Sequence, residues 1–247
     1  MKRQKFELRA NDFLGSSEGK KHFNEKHFAE SAPRYDLATR ALSLGQDGSW
    51  KRELVASLPG LQAPVCVDVA CGTGDVTQLL AGRFGEGEFI GVDLTREMVD
   101  LANHRNADSK VRFVCGEMSR LEMHDGSADV ITGSYAIRNA PDLAEALAEF
   151  HRVLKPGGTL AILDFCKPRS AAMQRLQFQL LRVWGGLWGL LLHGNPEVHG
   201  YISKSLRDFP DVAEIEGVFT DAGFRIAGSK KHLGGMMMRY LLTKPAD

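Results

Sequence analysis

The run Asp68-Val69-Ala70-Cys71-Gly72-Thr73-Gly74-Asp75 follows an apolar stretch, opens a helical pattern and sets two glycines among three carboxyl and hydroxyl side chains. Glycines at 72 and 74 permit a tight turn and let backbone approach a ligand closely. A dinucleotide-binding loop would carry a third glycine at position 77, packing helix on strand beside a pyrophosphate, but Thr77 stands there. With Asp68 ending the strand, the loop suits a cation better than a phosphate. The amino group of the methionine moiety of S-adenosylmethionine (SAM) is such a cation. A tight strand-to-helix turn with no ligand would account for the glycines nearly as well, so the loop needs corroboration.

Two further carboxylates supply it. Gly91-Val92-Asp93-Leu94 ends the next strand-like run, and Asp93 lies 19 residues beyond Gly74. That is near the spacing at which an acidic side chain reaches ribose hydroxyls, and a carboxylate can accept from both. Its plainer role is the N-cap of the helix that follows. Val114-Cys115-Gly116-Glu117-Met118 closes a third run. There Glu117 is placed to accept the adenine amino proton while Met98 and Met118 flank the ring; alone, Glu117 reads as a surface residue. One carboxylate after each of three successive strands is far more specific than any one of them. The predicted cofactor set is therefore Asp68, Ala70, Gly72, Thr73, Gly74, Asp93, Leu94, Met98, Glu117, Met118 and, ending a fourth run, Ser134.

The elements that must hold these residues alternate from Ala63 onward, strand-like runs with helical ones, as in a parallel sheet with crossover helices. Strands are expected at 64–70, 88–93, 111–115, 128–134 and 159–165, then near 224–229 and 236–243. Helices are expected at 75–84, 96–105, 143–154 and 212–222. Near-continuous apolar strands such as Ala161-Ile162-Leu163 suit a sheet covered on both faces. Residues up to about 58 form a helical cap, and 168–210 an insertion between strands. Within it, 173–192 is strongly apolar. Arg175, Gln179 and Arg182 share one helical stripe, opposite Met173, Leu176, Leu180, Trp184 and Leu187. Arg182 would sit deep in any bilayer span, and Gly185-Gly186 is expected to kink the helix, so a transmembrane segment is not expected.

Bulk properties narrow the class. The chain has 247 residues, 31 Lys plus Arg against 31 Asp plus Glu, and 43% apolar residues, which suits one α/β domain and supplies no chain-wide field for nucleic acid. Residues 1–26 carry seven basic and four acidic side chains and no apolar signal core, and read as a solvated, partly disordered arm. Cys66, Cys71, Cys115 and Cys166 show no metal-binding spacing; they point to a reducing cytoplasm, with no metal expected.

The strand-end motifs together with Leu154-Lys155-Pro156-Gly157-Gly158 resemble class I SAM-dependent methyltransferases. More narrowly, the chain is similar to the ubiquinone/menaquinone biosynthesis C-methyltransferases from about Phe23 to its end. The stretches that carry this are Arg34-Tyr35-Asp36 through Leu42-Ser43-Leu44-Gly45 to Trp50-Lys51, Ala136-Ile137-Arg138-Asn139, Asp164-Phe165-Cys166-Lys167-Pro168, Tyr201 to Leu206 and Phe209-Pro210, with Ala222-Gly223-Phe224 and Gly234-Gly235 beyond. Three positions depart from the pattern: Ala136 replaces a usual glycine, Glu117 a usual aspartate, and 236–240 is a looser match.

The resemblance implies an α/β, Rossmann-like fold: a seven-stranded, mostly parallel sheet with helices on both faces, a cap (1–58), a SAM-binding core (59–167), a lid (168–210) and a C-terminal part of the core (211–247). It implies methyl transfer to a ring carbon of a polyprenylated hydroquinone. Arg138 would stabilise the phenolate, Asn139 would orient the quinol oxygen or a water, and Asp75 would take the proton. For the acceptor it implies Tyr201 and Ser205 at the headgroup, Trp184 and Trp188 along the isoprenoid tail, and Tyr35 closing the cofactor side. A homodimer and reversible contact with the inner face of the membrane are also expected. Two other readings remain open: a lipid or small-molecule N- or O-methyltransferase, and a non-catalytic assembly or quinol-binding partner. No Asn/Asp-Pro-Pro-Tyr motif speaks for nucleic-acid methylation.

Overall fold

Parallel strands buried on both faces need crossovers, and the chain supplies them in turn. The computed structural model describes residue 13, residues 15–107 and residues 110–246. Strands β1 (Val65–Val69), β2 (Glu88–Asp93), β3 (Val111–Cys115), β4 (Ala128–Ser134), β5 (Leu154–Phe165), β6 (Arg225–His232) and β7 (Met237–Thr243) form one sheet in the order β3-β2-β1-β4-β5-β7-β6. The first five are parallel, and β7 runs antiparallel to β5 and β6. Cys66, Val67, Val130, Ile131 and Leu160 through Leu163 are fully buried. This is the mostly parallel, doubly covered sheet expected.

β5 begins at Leu154, not at Thr159. Residues 155–158 form an irregularity within the strand, between two pairings with β4, Leu154 lying opposite Ala128 and Thr159 opposite Val130. Helices α4 (Asp75–Phe84), α5 (Arg96–Arg105), α6 (Leu143–Val153) and α9 (Val212–Asp221) stand close to their expected bounds. Asp142 and Asp211 cap α6 and α9, each side chain accepting from two backbone N–H groups. Strand order reverses between β1 and β4, so the connections leave in opposite directions and a crevice opens at the strands' carboxyl ends.

The cap comprises α1 (Ser17–Ser31), α2 (Tyr35–Leu42) and α3 (Asp47–Ala56). From Ser17 on, the expected solvated arm is instead helix, started by Ser16, whose hydroxyl accepts from Gly19 N at 3.1 Å. Its buried face is Phe23, Asn24 and His27, with Phe23 and His27 packed 4.8 and 5.1 Å from the Tyr201 ring. Residues 1–12 and 14 of that arm lie outside the described residues.

The insertion folds as α7 (Ala171–His193) followed by α8 (Glu197–Arg207). α7 runs through Gly185-Gly186, where a kink was expected, as one unbroken helix. Its glycines serve close packing instead. A Cβ on Gly185 would fall 2.6 Å from the His199 carbonyl oxygen, and one on Gly189 2.7 Å from that of Asn195. The face of α7 turned inward is Gln177, Leu181, Gly185 and Gly189, so Met173, Leu176, Leu180, Trp184 and Leu187 are left exposed. Among the described residues no helix is long and apolar enough to cross a membrane.

Candidate active site

Three adjoining clefts occupy the crevice over β1 and β4. The first follows the ends of β2 and β3 and is walled by Asp93, Leu94, Met98, Glu117 and Met118. Asp93 is 8% exposed, and its two carboxylate oxygens accept from Gly72 N at 2.8 Å and Thr95 N at 2.9 Å. It thereby ties the glycine loop to β2, and each oxygen keeps a lone pair for a hydroxyl. Burial holds its carboxyl above the usual range, despite those bonds. Met98 is buried, and at the rim Glu117 pairs with Lys21 at 2.9 Å.

The second cleft continues past Gly72 and Ser134 to Asp68, Ala70, Thr73, Asp75 and Lys51. Asp68 is buried, accepting from Thr132 Oγ1 at 2.7 Å and Thr77 Oγ1 at 2.8 Å. Thr77, standing where a dinucleotide loop would need glycine, thus holds a carboxylate in place. Burial pushes Asp68 up to about 6 even with both hydroxyls attached. Among the described residues Asp68 makes no ion pair, Lys51 acting on it only at longer range, and an ammonium group in the cleft would supply one. Gly72 has φ +54, and a Cβ there would meet only the edge of the Tyr35 ring, so its backbone faces the cleft. Gly74 has a different purpose from the ligand approach expected of it. Its φ is +91, and a Cβ there would meet the Phe113 ring at 2.5 Å, so it seats α4 against β3.

Asp75 is half exposed and pairs with Lys51 at 3.0 Å, whose ammonium also meets Asp47 at 2.8 Å. Burial alone would depress Lys51, but Asp47 and Asp75 together hold it above its ordinary value. Thr73 donates to Asp36 at 2.9 Å.

The third cleft lies between cap and lid, and its walls are mostly apolar. Phe28, Trp50, Phe165, His199, Tyr201 and Arg138 are among its walls. Arg138 is 4% exposed, donates to Ser205 Oγ, and sets its Nε 3.6 Å from Asp164 Oδ1. Asp164 also accepts the Arg138 backbone N–H at 3.1 Å. The guanidinium lies 5.5 Å from the Phe165 ring centre and 5.9 Å from that of Tyr201. Among the described residues Arg138 Nε has no hydrogen-bond acceptor, the paired Asp164 oxygen standing just beyond reach. Ala136, where glycine was expected, has φ −95 and ψ −59, values open to alanine.

Asn139 is fixed from both sides. Its Nδ2 donates to the Tyr135 carbonyl at 2.9 Å, and Tyr201 Oη lies 3.1 Å from its Oδ1. The same hydroxyl is 3.0 Å from Asn24 Oδ1, and Asn24 donates to the Asn139 carbonyl at 2.7 Å.

The expected acceptor residues divide accordingly. Tyr35 and Tyr201 line the third cleft, and Ser205 reaches it only through Arg138. Trp184 and Trp188 do not line these clefts; their rings pack edge-on at 6.0 Å on the flank of α7, and Trp184 Nε1 lies 3.4 Å from the Ala41 carbonyl. Register on α7 decides this, because the glycine face takes the inward position. Sequence reasoning missed Tyr135, Asp47 and Lys51. Tyr135 had a signal, its place one residue past the carboxyl end of β4; Asp47 and Lys51 fall in a stretch that carries the resemblance, but α3 is remote in sequence from the loop it meets, so no local pattern links them to it.

The arrangement predicts a pH dependence. Asp68 is anionic above about pH 6, where it can take a cationic amine without exchanging a proton. Below that, the amine must displace a proton, so SAM affinity should fall roughly tenfold per pH unit. Calorimetric titration at pH 5, 6 and 7.5 checks this, and Asp68→Asn should bind weakly at all three.

Comparisons with known proteins agree with this geometry. The model of the ubiE/COQ5 methyltransferase family matches residues 17–244. A demethylmenaquinone methyltransferase of Deinococcus radiodurans is 36% identical over 219 residues, covering 86% of this chain and 89% of the relative. The ubiquinone/menaquinone biosynthesis C-methyltransferase UbiE of Geobacter sp. (strain M21) is 34% identical over 223 residues, covering 88% and 94%. Among solved structures, a SAM-dependent methyltransferase from Aquifex aeolicus superposes with a TM-score of 0.57 at 19% identity, covering 78% of this chain and 89% of that one, a likeness of fold. The chain belongs to the ubiE/COQ5 methyltransferase family, and its cofactor is S-adenosylmethionine.

Proposed function

We propose that this chain transfers a methyl group from SAM to a ring carbon of a polyprenylated hydroquinone, a demethylmenaquinol or a ubiquinol precursor, in lipoquinone biosynthesis. The observation that carries this is a carboxylate-lined cofactor cleft joined to an apolar cleft with a buried arginine in its wall. The names of the two relatives point to the same acceptor class.

The cofactor supplies an electrophilic methyl group. The protein's part is to make a ring carbon nucleophilic, which ionising the neighbouring phenol achieves. Arg138 faces the acceptor as a permanent cation in a desolvated wall, where it stabilises the phenolate. Asn139, held by Tyr135 and Tyr201, orients the quinol oxygen or a water. Asp75, reaching solvent beside Lys51, takes up the proton through water. Residues 59–167 serve the cofactor, and 168–210 close over the acceptor. Incubation with isotope-labelled SAM and both demethylated quinol classes, followed by mass spectrometry, tests the reading. Label on the ring carbon supports it; no transfer to either class overturns it.

The exposed side of α7 bears on how such an acceptor arrives. Leu176, Leu180, Val183, Leu187, Leu190 and Leu191 are 46–66% exposed, in one stripe beside the exposed Arg175 and Arg182. Leu37 and Leu44 are also exposed on the cap, whose α2 packs against α7, and they flank in sequence residues that line the third cleft. An apolar stripe edged by cations suits the surface of an anionic bilayer, and we assign it to reversible membrane docking by a cytoplasmic enzyme. The chain should float with liposomes containing anionic lipid, and Leu180→Glu with Leu187→Glu should abolish flotation while SAM affinity stays within about threefold, since the stripe lies outside the cofactor clefts. If the wild type stays at the bottom of the gradient, the assignment fails. If the double variant instead converts a dimer to a monomer, the stripe belongs to a second copy of the chain.

A further inference from the structure

The three clefts meet at two side chains. Tyr35 and Tyr135 line all three, and no other described residue does. A sulfonium has three carbon substituents, and in SAM these are the adenosyl group, the aminobutyrate chain and the methyl group. The cleft of Asp93 and Met98 suits the first, that of Asp68 the second, and the cleft of Arg138 opens toward the third. The positive sulfur therefore belongs where the three join. Resting on the methyl-transfer reading above, we propose that the Tyr35 and Tyr135 rings clamp the sulfonium and set the preference for charged SAM over its neutral thioether product, S-adenosylhomocysteine.

The surroundings of both tyrosines fit that role. Tyr135 follows β4 with φ +59, a left-handed conformation that a bulky residue adopts only when its surroundings enforce it. Its hydroxyl donates to Asp47 Oδ1 at 2.7 Å. Donation to a carboxylate enriches the oxygen and ring in electron density, which strengthens attraction for a cation. Burial and Asp47 both keep the phenol protonated, so the hydrogen bond persists at neutral pH. Lys51 Nζ stands 6.0 Å from the ring centre, the outer limit of such an interaction, and is already held by Asp47 and Asp75. Across the junction, Tyr35 lies over the glycine loop, its Cε1 3.6 Å from where a Gly72 Cβ would stand. Together the two rings bracket the junction from cap and sheet.

The clamp predicts a difference between two ligands that share every group except the methyl and the charge. In calorimetric titrations of the full chain, Tyr135→Leu and Tyr35→Leu should each weaken SAM roughly tenfold while changing S-adenosylhomocysteine affinity less than about threefold. Tyr135→Phe keeps the ring and should retain most of the wild-type ratio. Tyr35 sits in an ordinary helical conformation, so its leucine variant decides the matter if the strained Tyr135 site does not tolerate leucine. Equal losses for both ligands in every folded variant would overturn the clamp and leave the methyl-transfer reading standing. A wild-type chain that binds neither ligand would overturn both.

Discussion

Arg138→Ala is expected to lower the rate of acceptor methylation by about 10²- to 10³-fold, the usual loss when one preorganised charge-stabilising group is removed, while SAM affinity stays within about threefold. Arg138 lines the acceptor cleft and neither cofactor cleft, so binding and turnover should separate. One complication must be dealt with in the same experiment. Arg138 and Asp164 are 4% and 3% exposed, and removing one member of a buried pair typically costs about 3–5 kcal/mol. Burial already holds the Asp164 carboxyl above its usual range, with Arg138 opposing the shift. Without the arginine it will take up a proton more readily, which softens the loss. Asp164→Asn in the Arg138→Ala background should restore much of the melting temperature and none of the turnover. Single-turnover rates, calorimetry and thermal melts give the three readouts. A folded Arg138→Ala chain with near wild-type turnover would favour an amine-methylating enzyme, which has no phenolate to stabilise.

Asp93→Ala is expected to weaken SAM by about 10²-fold or more, since charge-assisted hydrogen bonds contribute roughly 1.5–3 kcal/mol each. Asp93 does two things with one carboxylate. It accepts the backbone N–H groups of Gly72 and Thr95, holding the loop and the start of α5, and it presents its remaining lone pairs to the first cleft. Alanine removes both. Asp93→Asn keeps one acceptor oxygen and should fall between, about tenfold weaker than wild type. Loop loss alone would also lower the melting temperature, so calorimetry should be paired with a melt in saturating SAM: a cofactor ligand predicts loss of the ligand-induced shift, and not only a lower baseline. An unchanged affinity would leave Asp93 as the loop's organiser alone; the plainer role expected of it, N-cap of α5, falls to Thr95.

These two residues also mark the limits of reading a chain without its fold. Asp93 was legible because its setting is local: a parallel strand, its carboxyl end and the next helix lie within a few residues, and the alternation of strand and helix puts every such end on one side of the sheet. Asp68 and the bounds of β2, β3 and β4 were legible for the same reason. Gly74 was half legible. Its left-handed turn follows from the motif, but the use of its bare backbone against Phe113 depends on how α4 settles on β3. Thr77 was read as an absence of glycine, and it is a hydroxyl given to Asp68.

The lid shows why the remainder stayed hidden. Periodicity along α7 separates an arginine stripe from a leucine stripe, and it favours burying the leucines. The fold buries Gln177, Leu181, Gly185 and Gly189 instead, because α8 and the turn leading into it pack so closely that only glycine fits at two of those positions. Shape complementarity between two backbones outweighs the local apolar pattern, leaves the leucines outside, and moves Trp184 and Trp188 out of the cleft wall. The junction of Tyr35, Tyr135, Asp47 and Lys51 is a meeting of the same kind, joining the cap to the end of β4 across a long stretch of chain.

The sequence by itself determined the sheet, the glycine loop and the acidic residues at the strand ends, because these depend on short-range periodicity and on backbone conformations that few residues can adopt. Only the tertiary structure decided which face of the lid turns inward, which side chains wall the acceptor cleft, and that two tyrosines stand where three clefts join. Those outcomes depend on contacts between segments far apart in the chain, whose geometry no local pattern records.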